Sequence, residues 1–368
     1  MIALVDVNNF YVSCERLFNP RLLNKPVVVL SNNDGCIISR SNEAKLLGIK
    51  MGTPLFKIKS VIKSSSIIAL SSNYSLYADI SNRTMILLAS FSPQQEIYSI
   101  DECFLDLSGN RELNATGQII KKKLWQYLDM PVCVGIAPTK TLAKLANYCA
   151  KKQPEWSGVC DLSELSTIRI DNIMSKINVS EVWGVGNKTS DKLNSIGIYS
   201  VLDLKKSDVI YMKNKFSISL EKIIYELNKT ICFPIESKTP LKKQIVTSRS
   251  FGRPIQRYNL LVEAITTFTS RAAYKSRQQN TLAEYVSVFI SSSPFQKKPY
   301  FYQNIITLKL PYPTSDTNLI LSIALEGAQS IYKANIKYVK CGIILSGLVD
   351  KHSSQDYLWP IETVERSR

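Results

Sequence analysis

Ile2-Ala-Leu-Val-Asp-Val7 reads as a short apolar strand ending in an acid. Glu96-Ile-Tyr-Ser-Ile100 and Phe104-Leu-Asp-Leu107 read as two more strands, joined tightly at Asp101-Glu102-Cys103. Singly, each acid has an ordinary reading as a strand-end cap or an exposed turn. Where the strand ends are neighbours in one sheet, Asp6, Asp101 and Glu102 meet at one point, and three unpaired negative charges there repel strongly. A divalent cation relieves that repulsion, and all-oxygen ligation without histidine suits Mg²⁺. Two such ions about 4 Å apart are a standard device for in-line displacement at phosphorus.

The flanking segments fill out a mixed α/β unit. Pro26-Val-Val-Val-Leu-Ser31 is a further strand, closed by the turn signal Asn32-Asn-Asp-Gly35. Two short helices split by Gly52-Thr-Pro54 occupy 43–61, and longer helices are expected near 75–91, 115–128 and 139–151, with a strand at 131–136. Residues 165–230 carry almost no strand signal and suit short helices joined by glycine turns. A lysine- and proline-bearing linker leads to a second pattern from 244: strand (245–251), helix (258–278), strands (282–292, 303–311), helix (317–333), strand (337–347). That βαββαβ order is the ferredoxin-like split βαβ arrangement. Residues 350–368 read as a polar, flexible tail, and there are no internal repeats.

At 368 residues the chain is longer than one core usually spans, so two to four domains are expected. Its 46 basic and 30 acidic side chains leave a net charge of +16, which points to a polyanionic partner. The one histidine, His352, removes Ser-His-Asp triads, Cys-His nucleophiles and His-ligated zinc. The eight cysteines form no CxxC pair and read as small buried hydrophobes in a reducing compartment. No signal peptide and no membrane-length apolar run is present, so a soluble, cytoplasmic protein without membrane partners is expected. Any catalysis must use carboxylates.

Three stretches suit nucleic acid. Lys140, Lys144, Lys151 and Lys152 fall in an acid-free run, and the first three share one helical face. Trp183-Gly-Val-Gly186, followed by Leu193 and Gly197, fits a helix-hairpin-helix whose glycines, Gly184 and Gly186, let backbone N–H groups approach a phosphate. From Lys242 to Arg277 there are eight basic residues and one acid, Glu263. A solvated surface is the plain alternative for each.

Asp6-Val-Asn-Asn-Phe-Tyr11, Tyr98-Ser-Ile-Asp-Glu-Cys103 and Gly135-Ile-Ala-Pro-Thr-Lys-Thr-Leu-Ala-Lys144 resemble, in order and spacing, the signature blocks of the Y-family translesion DNA polymerases. Val27-Val-Val-Leu-Ser-Asn-Asn-Asp-Gly-Cys36, Ser72-Asn-Tyr-Ser-Leu-Tyr-Ala-Asp79 and Ser248-Arg-Ser-Phe-Gly252 narrow the likeness to the UmuC branch, which supplies the catalytic subunit of DNA polymerase V. The resemblance covers residues 1 to about 348. It implies a right-hand polymerase: palm (1–20 and 73–164), small fingers (21–72), helix-hairpin-helix thumb (165–232), linker (233–243), ferredoxin-like little finger (244–349) and tail (350–368). Asp6, Asp101 and Glu102 match the carboxylates that bind two Mg²⁺ ions, and the Val7 carbonyl matches their backbone ligand. Phe10 and Tyr11 match nucleotide-binding positions, Tyr11 being the steric gate under the incoming sugar.

Ser39 and Lys45 stand where the family has a Thr and an Arg on the triphosphate, and Lys151 reaches the same group. Arg→Lys keeps the charge but loses the bidentate fork, for which Arg40 is placed to compensate. Asn9 replaces a triphosphate-contacting tyrosine of some relatives. Lys140, Lys144, Gly184, Gly186, Lys242, Lys243, Arg249 and Arg253 are the expected DNA contacts. The implied function is error-prone translesion synthesis in the SOS response: a primer 3′-hydroxyl displaces pyrophosphate from a dNTP on a damaged template, with no segment left for a proofreading exonuclease. A catalytically silent scaffold and a palm-fold nucleotidyl cyclase are the alternatives. Implied partners are a processed UmuD dimer, RecA and the sliding clamp, the last through Gln355-Asp-Tyr-Leu-Trp359, where Gln355, Leu358 and Trp359 resemble a clamp-docking peptide.

Overall fold

A computed structural model describes residues 1–31, 34–64, 66–237, 242–293 and 301–351. The chain divides into two compact units, Met1–Thr239 and Pro240–Arg368.

The first unit opens with β1 (Ile2–Val7), α1 (Phe10–Phe18), β2 (Val27–Leu30), β3 (Ile37–Arg40), α2 (Asn42–Leu46), α3 (Leu55–Ser64) and β4 (Ile68–Ser71). It continues with α4 (Tyr74–Ala89), β5 (Gln95–Ile97), β6 (Glu102–Asp106), α5 (Leu113–Leu128), β7 (Val132–Ala137), α6 (Lys140–Lys152) and β8 (Val159–Asp161). Five strands form a sheet in the order β5-β6-β1-β7-β8, with β1 antiparallel to both neighbours. β1 and β7 are almost wholly buried, which fits strands covered on both faces and explains their unbroken apolar runs. A smaller sheet, β3-β2-β4, carries its own core of Val28, Leu30, Ile37 and Ala44.

β3, β4 and β8 are not legible as strands in the sequence: each has only three or four residues, too few to display a period. Five short helices follow, α7 (Thr167–Ser175), α8 (Asn187–Asn194), α9 (Val201–Lys205), α10 (Val209–Lys215) and α11 (Ile218–Leu227). Side-chain caps from Ser166, Ser200, Asp208 and Ser217 start four of them.

The second unit runs β9 (Gln244–Ile255), α12 (Tyr258–Gln278), β10 (Thr281–Ser292), β11 (Gln303–Thr314), α13 (Thr317–Ile331) and β12 (Tyr338–Asp350). The sheet is antiparallel throughout, in the order β11-β10-β12-β9. Each helix links two parallel strands with one antiparallel strand inserted between them, the expected split βαβ, with the second and fourth strands central. Six of the eight cysteines are buried and all eight are free thiols. Among the described residues no helix is long and apolar enough to cross a membrane.

Candidate active site

The acids converge through strand register. Asp6 on β1 lies directly opposite Glu102 on β6, and the Val7 N–H donates to the Asp101 carbonyl at 2.9 Å. Directly opposed residues of an antiparallel pair project from the same face of the sheet. Glu102 is therefore the first residue of β6 and not part of the turn tip that the sequence suggested; the turn spans 98–101. Ser99 builds that turn: its hydroxyl donates to Asp101 Oδ1 at 2.6 Å and accepts from the N–H groups of Asp101 and Glu102.

The basic face of α6 meets these acids. Lys151 pairs with Asp6 at 2.5 Å, Lys144 Nζ donates to both Glu102 oxygens at 2.9 and 3.0 Å, and Lys140 pairs with Glu96. Helical spacing does put the three lysines on one face, but that face turns onto the sheet; Lys140 is buried, not solvated. Gly135 on β7 makes this docking close. A Cβ there would lie 2.1 Å from the Asn147 backbone nitrogen and 2.3 Å from the Ala143 carbonyl oxygen, so only glycine admits the helix. Asn147 then donates to the Cys133 and Leu4 carbonyls from α6.

Burial pushes the Asp6 carboxyl up to about 6; Lys151 opposes that rise, and the charges of Glu102 and Asp101 add to it. Among the described residues no three acids are gathered closely enough to hold an ion as they stand, and lysine ammoniums sit on Asp6 and Glu102. The donor set nevertheless fits a hard divalent cation: carboxylate oxygens from neighbouring strand ends, already drawing positive charge.

Above the acids opens a cleft of about 380 Å³, with Asp6, Val7 and Asp101 on one side and Ser39, Arg40 and Lys45 of the smaller sheet and α2 on another. Tyr11 lines it, stacked on Tyr77 with ring centres 4.5 Å apart and meeting Tyr74 edge-on at 6.1 Å. The Tyr77 hydroxyl is anchored on Glu15 at 2.6 Å. Phe10 is buried but reaches the cleft wall. Ser39 donates to the Asn9 carbonyl, and Asn9 adopts a left-handed conformation (φ 52°) that starts α1 at once after β1, a backbone region asparagine tolerates. Burial and the neighbouring charges of Arg40, Lys151 and Lys152 lower the Lys45 pKa, as expected where cations are gathered without enough anions. Arg40 Nη1 donates to the Ile49 carbonyl while its buried Nε has no partner. Tyr74, Tyr77 and Ser99 lie inside the quoted signature blocks without an individual role there, although the one-turn spacing of the two tyrosines is visible in the sequence.

Gly184 adopts a positive φ of 82°, a conformation that favours glycine, and a Cβ there would come 2.8 Å from the terminal methyl of Ile223, which would have to shift. Gly186, the N-cap of α8, has an ordinary φ and open space around it. Lys188, Lys192 and Lys215 join Gly184 around a shallow cleft of about 200 Å³. In the second unit Lys242, Lys243, Arg249 and Arg253 are exposed, the latter two on the edge strand β9. Gln355, Leu358 and Trp359 lie outside the described residues.

The model of the impB/mucB/samB family matches residues 5–148, that of its C-terminal domain 242–358, and that of the family's HHH motif 169–198. Protein UmuC of Salmonella typhimurium strain LT2 is 42% identical over 359 residues, 96% of this chain and 85% of that protein. The chain belongs to the UmuC branch of the Y-family of DNA-directed DNA polymerases. Protein ImpB of Salmonella typhimurium is 40% identical over 362 residues, 98% of this chain and 85% of that protein. The fold is that of a solved Y-family polymerase chimera built on Dbh (TM-score 0.75, 22% identity, 95% of this chain and 99% of that one). A fold of this class has a palm, small fingers, a helix-hairpin-helix thumb and a ferredoxin-like little finger; the five-stranded sheet, the three-stranded sheet, α7–α11 and the second unit take those names, in that order.

Proposed function

We propose that the protein carries out error-prone translesion synthesis in the SOS response, adding nucleotides opposite damaged template without proofreading. The primer 3′-hydroxyl attacks the α-phosphate of a dNTP, the bond between the α- and β-phosphates breaks, and pyrophosphate leaves. The observation that carries this reading is one cleft with carboxylates on its floor, a cationic wall of Arg40, Lys45 and Lys151, and a braced aromatic ring at its side.

Asp6, Asp101 and Glu102, with the Val7 carbonyl, would hold two Mg²⁺ ions. Bound there, the ions would ease loss of the hydroxyl proton and neutralise charge on the leaving phosphates. Lys151 is free to exchange Asp6 for the triphosphate, because its side chain is 32% exposed. Ser39, Lys45 and Arg40 orient the same group, Phe10 shapes the floor, and Tyr11 excludes a 2′-hydroxyl by occupying the space under C2′. Gly184 and Gly186 of the thumb, and Lys242, Lys243, Arg249 and Arg253 of the little finger, hold the template–primer by its phosphates, which suits a duplex whose bases are damaged. In the cytoplasm the enzyme would work with a processed UmuD dimer, RecA and, through Gln355, Leu358 and Trp359, the sliding clamp.

Primer extension on a lesion-bearing template, with Mg²⁺ and dNTPs, tests the reading together with Tyr11→Ala. The parent should insert dNTPs opposite the lesion, and Tyr11→Ala should relax rNTP/dNTP discrimination about tenfold or more. No extension by the parent with UmuD and RecA present would leave the silent scaffold instead.

A further inference from the structure

Lys144 is held by one carboxylate and three aromatic rings. Its ammonium, on a side chain only 14% exposed, chelates Glu102 and lies 4.4 Å from the centre of the Tyr98 ring, 5.6 Å from that of Trp183 and 5.7 Å from that of Phe104. Ring quadrupoles hold a cation more strongly when it is partly desolvated. The cage is braced in turn. Trp183 Nε1 donates to the Tyr98 hydroxyl at 3.0 Å, Trp183 meets Phe233 edge-on at 5.2 Å, and Tyr98 meets Phe104 edge-on at 5.6 Å. Tyr98 and Phe104 flank the acid turn, whereas Trp183 directly precedes Gly184 in the thumb hairpin. A lysine serving a nucleic-acid phosphate keeps its head in water. Lys151, only seven residues on and 32% exposed, has that freedom; Lys144 does not.

We infer that Lys144 is a positioning residue for the Glu102 carboxylate, held in an aromatic cage that joins the thumb hairpin to the metal-binding end of the palm, and is not a contact to template–primer phosphate. The inference rests on the polymerase reading given above. Lys144 occupies Glu102 as a resident cation, fixing the carboxylate's orientation and opposing premature entry of a divalent ion. Trp183 forms one wall of the cage, so displacement of the hairpin changes the hold on Lys144 and thereby on Glu102.

Mn²⁺ titrated into the DNA-free protein and read by electron paramagnetic resonance tests this without turnover. Lys144→Met should bind Mn²⁺ at least about threefold more tightly, because a positive charge next to Glu102 is gone. In primer extension the same variant should lose about tenfold or more in kcat. Its KM for dNTP and its Kd for DNA should stay within about twofold and the salt slope of DNA binding should not change. Lys144→Arg, whose fork can also chelate a carboxylate, should restore the parental Mn²⁺ affinity and most of kcat. Trp183→Leu should shift Mn²⁺ affinity in the same direction as Lys144→Met; no shift would overturn the aromatic link to the thumb. Should Lys144→Met not fold, Lys144→Gln gives the same readouts. An unchanged or weakened Mn²⁺ affinity in the neutral variant overturns the inference, and a weaker DNA Kd with a salt slope smaller by about one assigns Lys144 to a phosphate instead. If the parent protein does not extend primers, the polymerase reading falls, while the Mn²⁺ comparison still decides the role of Lys144.

Discussion

The palm and the little finger are both rich in lysine and arginine, yet they use the charge in opposite ways. In the palm, Lys140, Lys144 and Lys151 are each paired with a carboxylate and partly or wholly removed from water. In the little finger, Lys242, Lys243, Arg249 and Arg253 are exposed, and among the described residues none of the four is paired with an acid. A count of basic residues along the chain scores the two regions alike. Their physics differs, because a compensated, half-buried charge sets local geometry and proton affinity, whereas an uncompensated exposed one sets a long-range field that salt screens. The palm should therefore answer to metal and pH, and the little finger to ionic strength.

The sharpest way to break this contrast is Asp101→Asn. It removes a carboxylate from the floor of the cleft without touching the exposed cations, so nucleotide incorporation should fall about a thousandfold or more, roughly 4 kcal/mol of barrier, while DNA affinity stays nearly unchanged. Single-nucleotide incorporation and fluorescence anisotropy on the same preparation check both halves. Incorporation within about tenfold of the parent would remove Asp101 from the metal site.

Lys242→Glu with Lys243→Glu is the converse experiment. DNA binding at low salt should weaken about tenfold and the log–log salt slope should flatten by about two, while the Mg²⁺ requirement for single-turnover incorporation stays that of the parent. A parental slope near zero would show that the exposed cations of the little finger do not bind phosphates.

The smallest expected effect is the dependence of Mg²⁺ on pH. The Asp6 carboxyl is raised to about 6 in the folded protein, so it holds a proton below that pH and cannot then ligate. Because the shift is upward, protonation competes with the metal as pH falls: half-saturating Mg²⁺ should double from about pH 7 to 6 and rise about tenfold by about pH 5. The Kd for DNA, governed by exposed lysines and arginines and not by a carboxylate, should not follow that curve. A pH-independent Mg²⁺ requirement would show that Asp6 is ionised throughout and that its burial is relieved in solution.

Much of this was legible in the chain. The helix expected at 258–278 is Tyr258–Gln278, the helix expected near 75–91 is Tyr74–Ala89, and the βαββαβ order of the C-terminal unit follows from elements long enough to show a period. The acids at 6, 101 and 102 were legible because strand ends and tight turns are local features, and the lack of a usable histidine narrowed the chemistry by itself. Strands β3, β4 and β8 were not, since three or four residues are too few to show a period. β9 runs longer than expected because an irregularity opposite Tyr338 carries its ladder on to Ile255, and β12 because residues 348–350 continue in register against Thr281–Ala283 of β10.

Sequence spacing alone determined that Lys140, Lys144 and Lys151 share a face of one helix, since 3.6 residues per turn is a property of the backbone. Only the tertiary structure decided where that face points. The missing Cβ of Gly135 lets α6 settle against β7 with its lysines over the acids of β1 and β6, and Trp183 arrives from the thumb, far along the chain, to close the cage around Lys144. Helical period is a local, angular property that any isolated segment carries. Which way a face turns, and whether its charge is spent on a carboxylate or left for a phosphate, depends on contacts between segments distant in sequence, and those exist only once the chain has packed.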